Sequence, residues 1–196
     1  MPIEIKVAPP GITISQGRTF MVTNQQGEIN PRGDEGVSAI DTRFISYYRL
    51  FINREPWVLV NSSQLTFYAA RFYLANPKIS TESGDLEANT IGLTIERTVE
   101  DGIHEDFYIT NYTGKKIRFF LQLALRSDFA DIFEVKAKRF VQRGRMFTQW
   151  EKQERRLRTS YENKDFHRAL IYAIPSADVP VGYANGRIFS RIAILS

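Results

Sequence analysis

Cysteine is absent from the 196 residues of this sequence. This excludes disulfide bonds, zinc–thiolate sites and cysteine nucleophiles, and it suits a reducing compartment. Histidine is nearly absent as well, because the chain has only His104 and His167, which lie outside any metal-ligand spacing. Phosphate-binding P-loops, dinucleotide fingerprints and nucleophile elbows are also missing. We therefore expect no metal and no organic cofactor.

Long hydrophobic runs are missing too. The N-terminus, MPIEIKVAPPG, lacks the basic and then apolar pattern of a secretory signal. No apolar run approaches the roughly 18 residues of a membrane span. We therefore expect a cytoplasmic protein without a membrane partner. Hydrophobic residues make up 43% of the chain, which is enough for a core, and the length fits one domain over residues 1–196.

The strongest pattern present has a period of two. In residues 117–125 the odd positions are Ile, Phe, Leu, Leu and Leu, and residues 91–95 alternate in the same way. Successive side chains of a strand point to opposite faces of a sheet, so each run predicts a strand with one face toward a core. Turn signals such as Asp101–Gly102 separate such runs at short intervals. The predicted fold is an all-β antiparallel β-sandwich with few or no long helices.

Three segments are harder to assign. Residues 63–78 mix helical spacing with β-favouring residues, and we predict a strand there. Residues 149–158 fit either a short helix with Glu-to-Arg pairs or a charged strand. Residues 175–186 are rich in proline and glycine and predict a long loop before a last strand at 187–195. The triplet 104–106, His-Glu-Asp, is interpreted as the exposed start of a strand.

An acidic segment follows the alternating run. Asp128, Asp131 and Glu134 could supply a catalytic acid pair, which glycoside hydrolysis needs about 5–9.5 Å apart. A calcium loop would need more oxygen donors and a glycine at the turn. Short acidic loops of sheet proteins more often form turns, caps or ion pairs. These three residues are therefore candidates for a substrate cleft or a domain interface.

The same segment, 126-RSDFADIFEVKAKR-139, predicts a change of chain direction. We expect the long strand to end here, a bend to follow, and a new strand to begin at residues 132–135. Phe129 and Phe133 would anchor the bend. The carboxylates would then face Arg126, Lys136 or a neighbouring domain.

Asp41 and Arg43 form a second candidate group. They follow a glycine-containing loop, residues 33–41, and open an aromatic strand, residues 44–52. One interpretation is an Asp–Arg ion pair that fixes the start of the strand. The other is a polar pair at a sheet edge that faces a ligand or partner, because loops usually carry function. Both interpretations stay open at this point.

Basic residues concentrate in residues 136–158. That stretch has nine Lys or Arg and two Glu, a net charge of +7, whereas the whole chain has +4. A basic cluster can bind nucleic acid or an acidic partner, but helix-turn-helix, zinc and RNA-sheet signatures are absent, so nucleic acid is disfavoured. A solvated face or a contact surface for another domain is the preferred interpretation.

Exposed aromatic side chains could make the domain a carbohydrate-binding module for an α-glucan, because sugars stack on flat rings. Most aromatic residues of a sandwich belong to its core, which limits this alternative. The candidate rings are Tyr47, Tyr48, Trp57, Tyr68, Tyr73 and Trp150.

Several motifs occur in one order along the chain, and the two strongest are Asp-Thr-Arg-Phe at 41–44 and Asp-Phe-Ala-Asp-Ile-Phe-Glu-Val at 128–135. Others are Leu-Ala-Asn-Pro at 74–77 and Glu-Asp-Phe-Tyr-Ile-Thr-Asn-Tyr at 105–112. Together they resemble the N-terminal domain of bacterial and archaeal glycogen-debranching enzymes of the amylo-α-1,6-glucosidase type. The resemblance covers nearly the whole chain.

The resemblance implies that catalysis belongs to a different domain. In such enzymes the N-terminal unit is a β-sandwich, and a following (α/α)₆ barrel carries the catalytic glutamates. We therefore expect no catalytic residue among the 196 positions and a downstream catalytic barrel as the partner. Asp41 and Arg43, followed by Asp128, Asp131 and Glu134, become candidates for contacts with that barrel or its substrate cleft.

Overall fold

Short strands dominate the chain because alternating apolar residues and turn signals divide it at close intervals. The computed structural model describes residues 11–82, 84–141, 143–176 and 179–195, and within them it contains eighteen strands and one helix. Their bounds are β1 Ile12–Gln16, β2 Thr19–Thr23, β3 Gly36–Ala39, β4 Thr42–Ile45, β5 Tyr47–Ile52, β6 Glu55–Pro56, β7 Val58–Gln64, β8 Ala69–Ala75, β9 Ile79–Thr81, β10 Gly84–Leu86, β11 Ile91–Val99, β12 Ile103–Asn111, β13 Ile117–Arg126, α1 Ile132–Ala137, β14 Arg145–Glu151, β15 Arg156–Asn163, β16 Phe166–Ala173, β17 Val181–Ala184 and β18 Arg187–Ile194.

The strands form four sheets and one small hairpin, and all the pairings are antiparallel. Sheet I has the order β1-β2-β3-β4, and sheet II has the order β12-β11-β8-β7. Sheet III has the order β17-β18-β13-β5-β6, sheet IV the order β14-β15-β16, and β9 pairs with β10. The predicted all-β antiparallel sandwich is confirmed.

The main core lies between sheets II and III. On β11 every second residue from Ile91 to Val99 is buried, as the period of two requires. The facing apolar residues of sheet III include Leu50, Ile52 and Leu123, and they belong to the same buried cluster. Fully burying such a side chain stabilises the fold by about 1.5–3 kcal/mol.

Two ambiguous segments are resolved as hairpins. Residues 63–78 contain the end of β7, a turn and the whole of β8, so the predicted strand covers only part of that segment. Residues 149–158 contain the end of β14, a four-residue turn and the start of β15. This segment therefore has the charged-strand form and not the helical one.

Two further predictions need correction. Within 175–186 the chain forms β17, so the segment is not one long loop; residues 177–178 lie outside the described part of the chain. In the triplet 104–106 the side chains of His104 and Asp106 are exposed, but Glu105 points inward and is buried. Alternation places the middle residue of such a triplet on the opposite face from its neighbours.

Within the described ranges, α1 is six residues long, and no helix is long and apolar enough to cross a membrane. The same ranges contain no group of three or more His, Asp or Glu side chains arranged to hold a metal ion.

Candidate functional site

Two distant segments meet at the end of β4. The Arg43 amide donates to the Ala130 carbonyl at 2.8 Å, and the Ile132 amide donates to the Asp41 carbonyl at 3.0 Å. Thr42 and Asp131 form an isolated antiparallel bridge between these bonds. The loop after β13 therefore extends sheet I beyond β4. We call residues 40–43 together with 126–141 the Arg43 corner.

Arg43 is the centre of the corner, and its side chain is 1% exposed. Its Nε and Nη2 atoms donate to the two carboxylate oxygens of Asp128, at 3.3 and 2.5 Å. Its Nη1 atom donates to the carbonyl oxygens of Gly33 and Glu35, at 3.4 and 3.2 Å. A bidentate guanidinium–carboxylate contact of this kind fixes the relative orientation of the two side chains and also balances their charges. The proposed ion pair at the strand start therefore exists, but its acid is Asp128 and not Asp41.

Glycine at position 36 leaves room for the buried side chain of Arg43. A Cβ atom at this position would lie 2.6 Å from Cδ of Arg43 and 2.9 Å from the Ile45 carbonyl oxygen. Contacts this short do not occur in folded proteins, so only glycine leaves the required space. The glycine at the start of β3 is thus explained by the path of one buried side chain.

Phe129 anchors the bend after β13, as predicted. Its backbone has a φ of 50°, and its ring is buried. The ring stacks on Tyr161 of sheet IV with centroids 5.6 Å apart and meets Phe44 edge to face at 5.7 Å. Phe133, the second predicted anchor, is 72% exposed, so that part of the prediction is wrong.

The new strand predicted at residues 132–135 is also wrong, because these residues form α1. The Asp131 side chain accepts a hydrogen bond from the Phe133 amide at 2.8 Å and so caps the helix. Such a cap satisfies a backbone donor that the first turn leaves free. Glu134 stands in that first turn, where its charge favours the helix dipole.

Each acid of the segment has a structural partner. Asp128 binds Arg43, Asp131 caps α1, and Glu134 pairs with Arg143 at 2.6 Å. The expected contacts with Arg126 and Lys136 are not formed. The fold thus brings Asp41, Arg43, Asp128 and Asp131 together, but each of the three acids 128, 131 and 134 is already engaged. This geometry favours a structural corner over an acid–base pair.

The surface of the corner carries four exposed apolar side chains among charged ones. Ile40 occupies the tip of the β3–β4 hairpin with a φ of 48°, a conformation that β-branched residues rarely adopt, and its side chain is 56% exposed. Phe133 of α1 lies next to Ile132, which is bonded to the same hairpin tip. The Phe140 ring covers the Arg43 guanidinium at 5.0 Å and is itself exposed, as is Val141.

A second polar centre escaped the sequence reasoning. Arg97 of β11 and Glu105 of β12 form an ion pair of 2.6 Å, buried inside the sandwich. Arg97 Nη1 also donates to the Gly27 carbonyl at 3.0 Å, and the hydroxyl groups of Tyr48 and Tyr172 donate to Glu105. One feature of the sequence could have revealed it. Arg97 occupies an inward-facing position of β11, and the other inward-facing residues of that strand are all apolar.

The aromatic residues proposed as sugar platforms do not share one surface. Tyr48 and Trp57 are buried in the core. Trp150 stacks on Tyr183 at 6.1 Å, between sheets III and IV. Tyr73 is partly exposed on the outer face of sheet II. The six rings therefore do not form the single platform that a carbohydrate-binding module requires.

The basic stretch of residues 136–158 is divided among α1, the connection after it, and the β14–β15 hairpin. Arg143 and Arg156 within it form ion pairs with Glu134 and Glu151. The stretch therefore does not present one helical basic face.

Comparison with known proteins agrees with the motif order. A family model described as the N-terminal domain of some glycogen debranching enzymes matches residues 14–193. The match includes the Arg43 corner and the Arg97–Glu105 pair. A search of curated proteins found no match.

Proposed function

The chain belongs to the family of N-terminal domains of some glycogen debranching enzymes, and from this membership we propose that it is a non-catalytic sandwich domain that supports a catalytic barrel. The observation that carries the proposal is the Arg43 corner. It combines a buried ionic centre with four exposed apolar side chains.

Buried contacts hold the Arg43 corner in place. Arg43 binds Asp128 and two carbonyl groups at once, so the loop after β13 is tied to sheet I. Phe129 ties the same loop to sheet IV through its stacking on Tyr161. A loop held in this way can present side chains to a partner at little entropic cost, because it is already ordered before binding.

The exposed side chains suit an apolar contact. Ile40, Phe133, Phe140 and Val141 are each exposed on or beside this loop. Exposed apolar groups that lie close together commonly mark contacts with another domain. Stable interfaces bury such groups at their centre and surround them with polar ones. Asp41, an exposed polar residue at the hairpin tip, is our candidate for contact with a substrate cleft.

The test uses the enzyme chain that carries this domain. Arg43→Ala should lower hydrolysis of α-1,6-glucosidic bonds and uncouple the thermal unfolding of the two domains, because the corner loses the group that orders it. Lys152→Ala is the control, since Lys152 is exposed in the β14–β15 turn. Equal, small effects of the two substitutions would contradict the proposal. Hydrolysis by residues 1–196 alone would contradict the non-catalytic assignment.

Glucan binding is a second candidate, favoured by one observation. Tyr73 and Tyr108 are both exposed, and both lie directly opposite Thr94, one from each side. The two rings therefore occupy the same outer face of sheet II, two strand spacings or about 10 Å apart. Calorimetric titration with a soluble α-glucan tests this role, and an unchanged affinity in Tyr108→Ala would count against it.

A further inference from the structure

A polar cleft of about 420 Å³ lies between the end of sheet III and strands β14 and β15 of sheet IV. Sheet III contributes the ends of β5 and β13 and the β17–β18 turn, and sheet IV contributes β14 and β15. Its volume lies within the range of small-molecule sites, about 300–1,000 Å³. Polar groups that line it include Tyr47, Arg126, Thr148, Thr159, Asn185 and Arg187.

Two arginines stand side by side in this cleft. Arg187 of β18 lies directly opposite Ala124 of β13, and Arg126 is two residues further along β13. Opposite residues share a face and strand residues repeat with a period of two, so both arginines project from the same face. Diagonal neighbours of this kind are about 7–8 Å apart. This is a spacing of the backbone, and two arginine side chains that start so close are long enough to turn their guanidinium groups toward one anion.

No acid neutralises these two charges within the described part of the chain. Neither Arg126 nor Arg187 forms an ion pair there, and none of the described residues that line the cleft is acidic. Arg49 provides the contrast, because it lies opposite Ala124 on the other side and pairs with Glu28 at 2.9 Å. Of the three neighbouring arginines Arg49, Arg126 and Arg187, one has its counter-charge and two lack it.

Aromatic rings support both unpaired arginines. The Arg126 guanidinium lies 5.5 Å from the centre of the Tyr47 ring, and that of Arg187 lies 4.2 Å from the centre of the Phe51 ring. Stacking of this kind holds a guanidinium in place while leaving its N–H donors available to a ligand. The pair is thus ordered without the help of an acid.

The opposite wall suits a ligand with several hydroxyl groups. Thr148 and Thr159 place their hydroxyl oxygens 3.2 Å apart, and Asn185 adds an amide at the β17–β18 turn. We propose that this cleft binds a small phosphorylated ligand of the hexose-phosphate class. The phosphate lies between Arg126 and Arg187, and the hydroxyl groups of the sugar face the threonines. This ligand site is additional to the scaffold role.

The charge of the surroundings agrees with an anionic ligand. The basic stretch of residues 136–158, with its net charge of +7, includes β14 and part of β15, the strands that form the opposite wall of the cleft. Its strand arginines Arg145, Arg156 and Arg158 alternate with the cleft-lining residues and lie on the other face of sheet IV, so they act on a ligand only at long range. A surface of one sign raises the local concentration of oppositely charged ligands. Two charge-assisted contacts from arginine supply the geometric fit to a phosphate.

Isothermal titration calorimetry of the 196-residue chain with glucose 6-phosphate tests the proposal. At about 0.15 M salt, where long-range attraction is screened, we expect saturable binding of glucose 6-phosphate, weaker binding of inorganic phosphate and none of glucose. Arg126→Gln and Arg187→Gln should each weaken binding about tenfold or more, because each removes a hydrogen bond to a charged group.

Arg118→Gln is the matched control. Arg118 is an exposed residue on the same face of β13, eight residues from Arg126 and so about 27 Å away along the strand. It should leave the affinity unchanged. Amide chemical shifts of Thr148 and Thr159 should move on addition of glucose 6-phosphate and report site binding even where a variant is less stable.

Absence of saturable binding by glucose 6-phosphate would overturn the proposal. So would equal losses of affinity in Arg118→Gln and Arg126→Gln, because the effect would then follow net charge and not position. Either result would leave the scaffold proposal as it stands, since that rests on the Arg43 corner and is measured by hydrolysis and domain coupling.

Discussion

Arg97 and Glu105 lie directly opposite each other on β11 and β12, and their ion pair of 2.6 Å is buried between the sheets. The Arg97 guanidinium also lies between the rings of Tyr48 and Phe72, at 5.1 and 5.0 Å from their centres. Burial opposes the charge on Arg97, but Glu105 and Tyr48 together outweigh it, and the pKa of the guanidinium is raised. The pair also connects sheets, because Tyr48 comes from sheet III and Tyr172 from sheet IV.

We predict that Glu105→Gln lowers the free energy of unfolding by about 3–5 kcal/mol, because it leaves the Arg97 charge buried and uncompensated. Urea denaturation of the purified chain measures the change. The matched control is Arg71→Gln on β8, which breaks the partly exposed pair between Arg71 and Glu96, the β11 residue next to Arg97. That change should cost less than about 1 kcal/mol.

Replacing both partners separates charge from packing. The double substitution Arg97→Met with Glu105→Leu should cost less than Glu105→Gln alone, because no buried charge is left over. If Glu105→Gln alone lowered the free energy of unfolding by less than about 1 kcal/mol, water would be solvating the buried Arg97 charge, and the prediction would be contradicted.

The two tyrosines of this cluster predict an alkaline limit to stability. Burial first, and then the charge of Glu105, raises the pKa of Tyr48 and of Tyr172 well above the usual value of 10.0. Between that value and the raised pKa, the unfolded chain loses these protons while the folded chain keeps them. The free energy of unfolding should therefore decrease as pH rises above about 10, by up to about 1.4 kcal/mol per pH unit for each tyrosine.

Urea denaturation at several pH values between 8 and about 11 measures this slope. Tyr172→Phe should make the slope shallower, because one of the two proton-retaining groups is gone, although it also removes a hydrogen bond at all pH values. Tyr112→Phe, at an exposed position, is the control. An unchanged slope in Tyr172→Phe would rule out the buried phenol as its source.

Local periodicity determines much of the sandwich, and this part was predictable. Residues 117–125 alternate in the sequence and form β13, with Ile117, Phe119 and Leu123 buried as expected. A period of two needs no knowledge of neighbours, because it follows from the geometry of a single strand. Fold class could therefore be derived from the sequence alone.

The acid that pairs with Arg43 was harder to predict, because it depends on which distant segments the fold brings together. Arg43 binds an acid 85 positions away, while Asp41 is two positions away and does not pair with it. Only the packing of the loop after β13 against β4 brings Asp128 to Arg43. The six-residue helix α1 was missed for a different reason: its capping residue, Asp131, was assigned to a charge contact and not to a helix start.

Ile40 offers the sharpest test of how stability and function are divided in the Arg43 corner. It shares a tight hairpin turn with Asp41, and both residues have positive φ, at 48° and 58°. Asparagine favours this conformation and isoleucine does not. Ile40→Asn should therefore raise the free energy of unfolding of the 196-residue chain by about 1 kcal/mol.

In the enzyme chain that carries this domain, the same substitution should have the opposite effect on function. Ile40 is an exposed apolar contact in the proposed interface, so Ile40→Asn should lower hydrolytic activity or domain coupling while the domain itself becomes more stable. Val60→Asn, at an exposed apolar position on β7 of sheet II, is the control and should leave activity unchanged.

A more stable Ile40→Asn domain with full activity would show that the strained turn serves no interface. Loss of both stability and activity would show instead that the isoleucine is needed by the fold. Only a gain in stability together with a loss of coupling fits a residue that is kept for its contact with another domain.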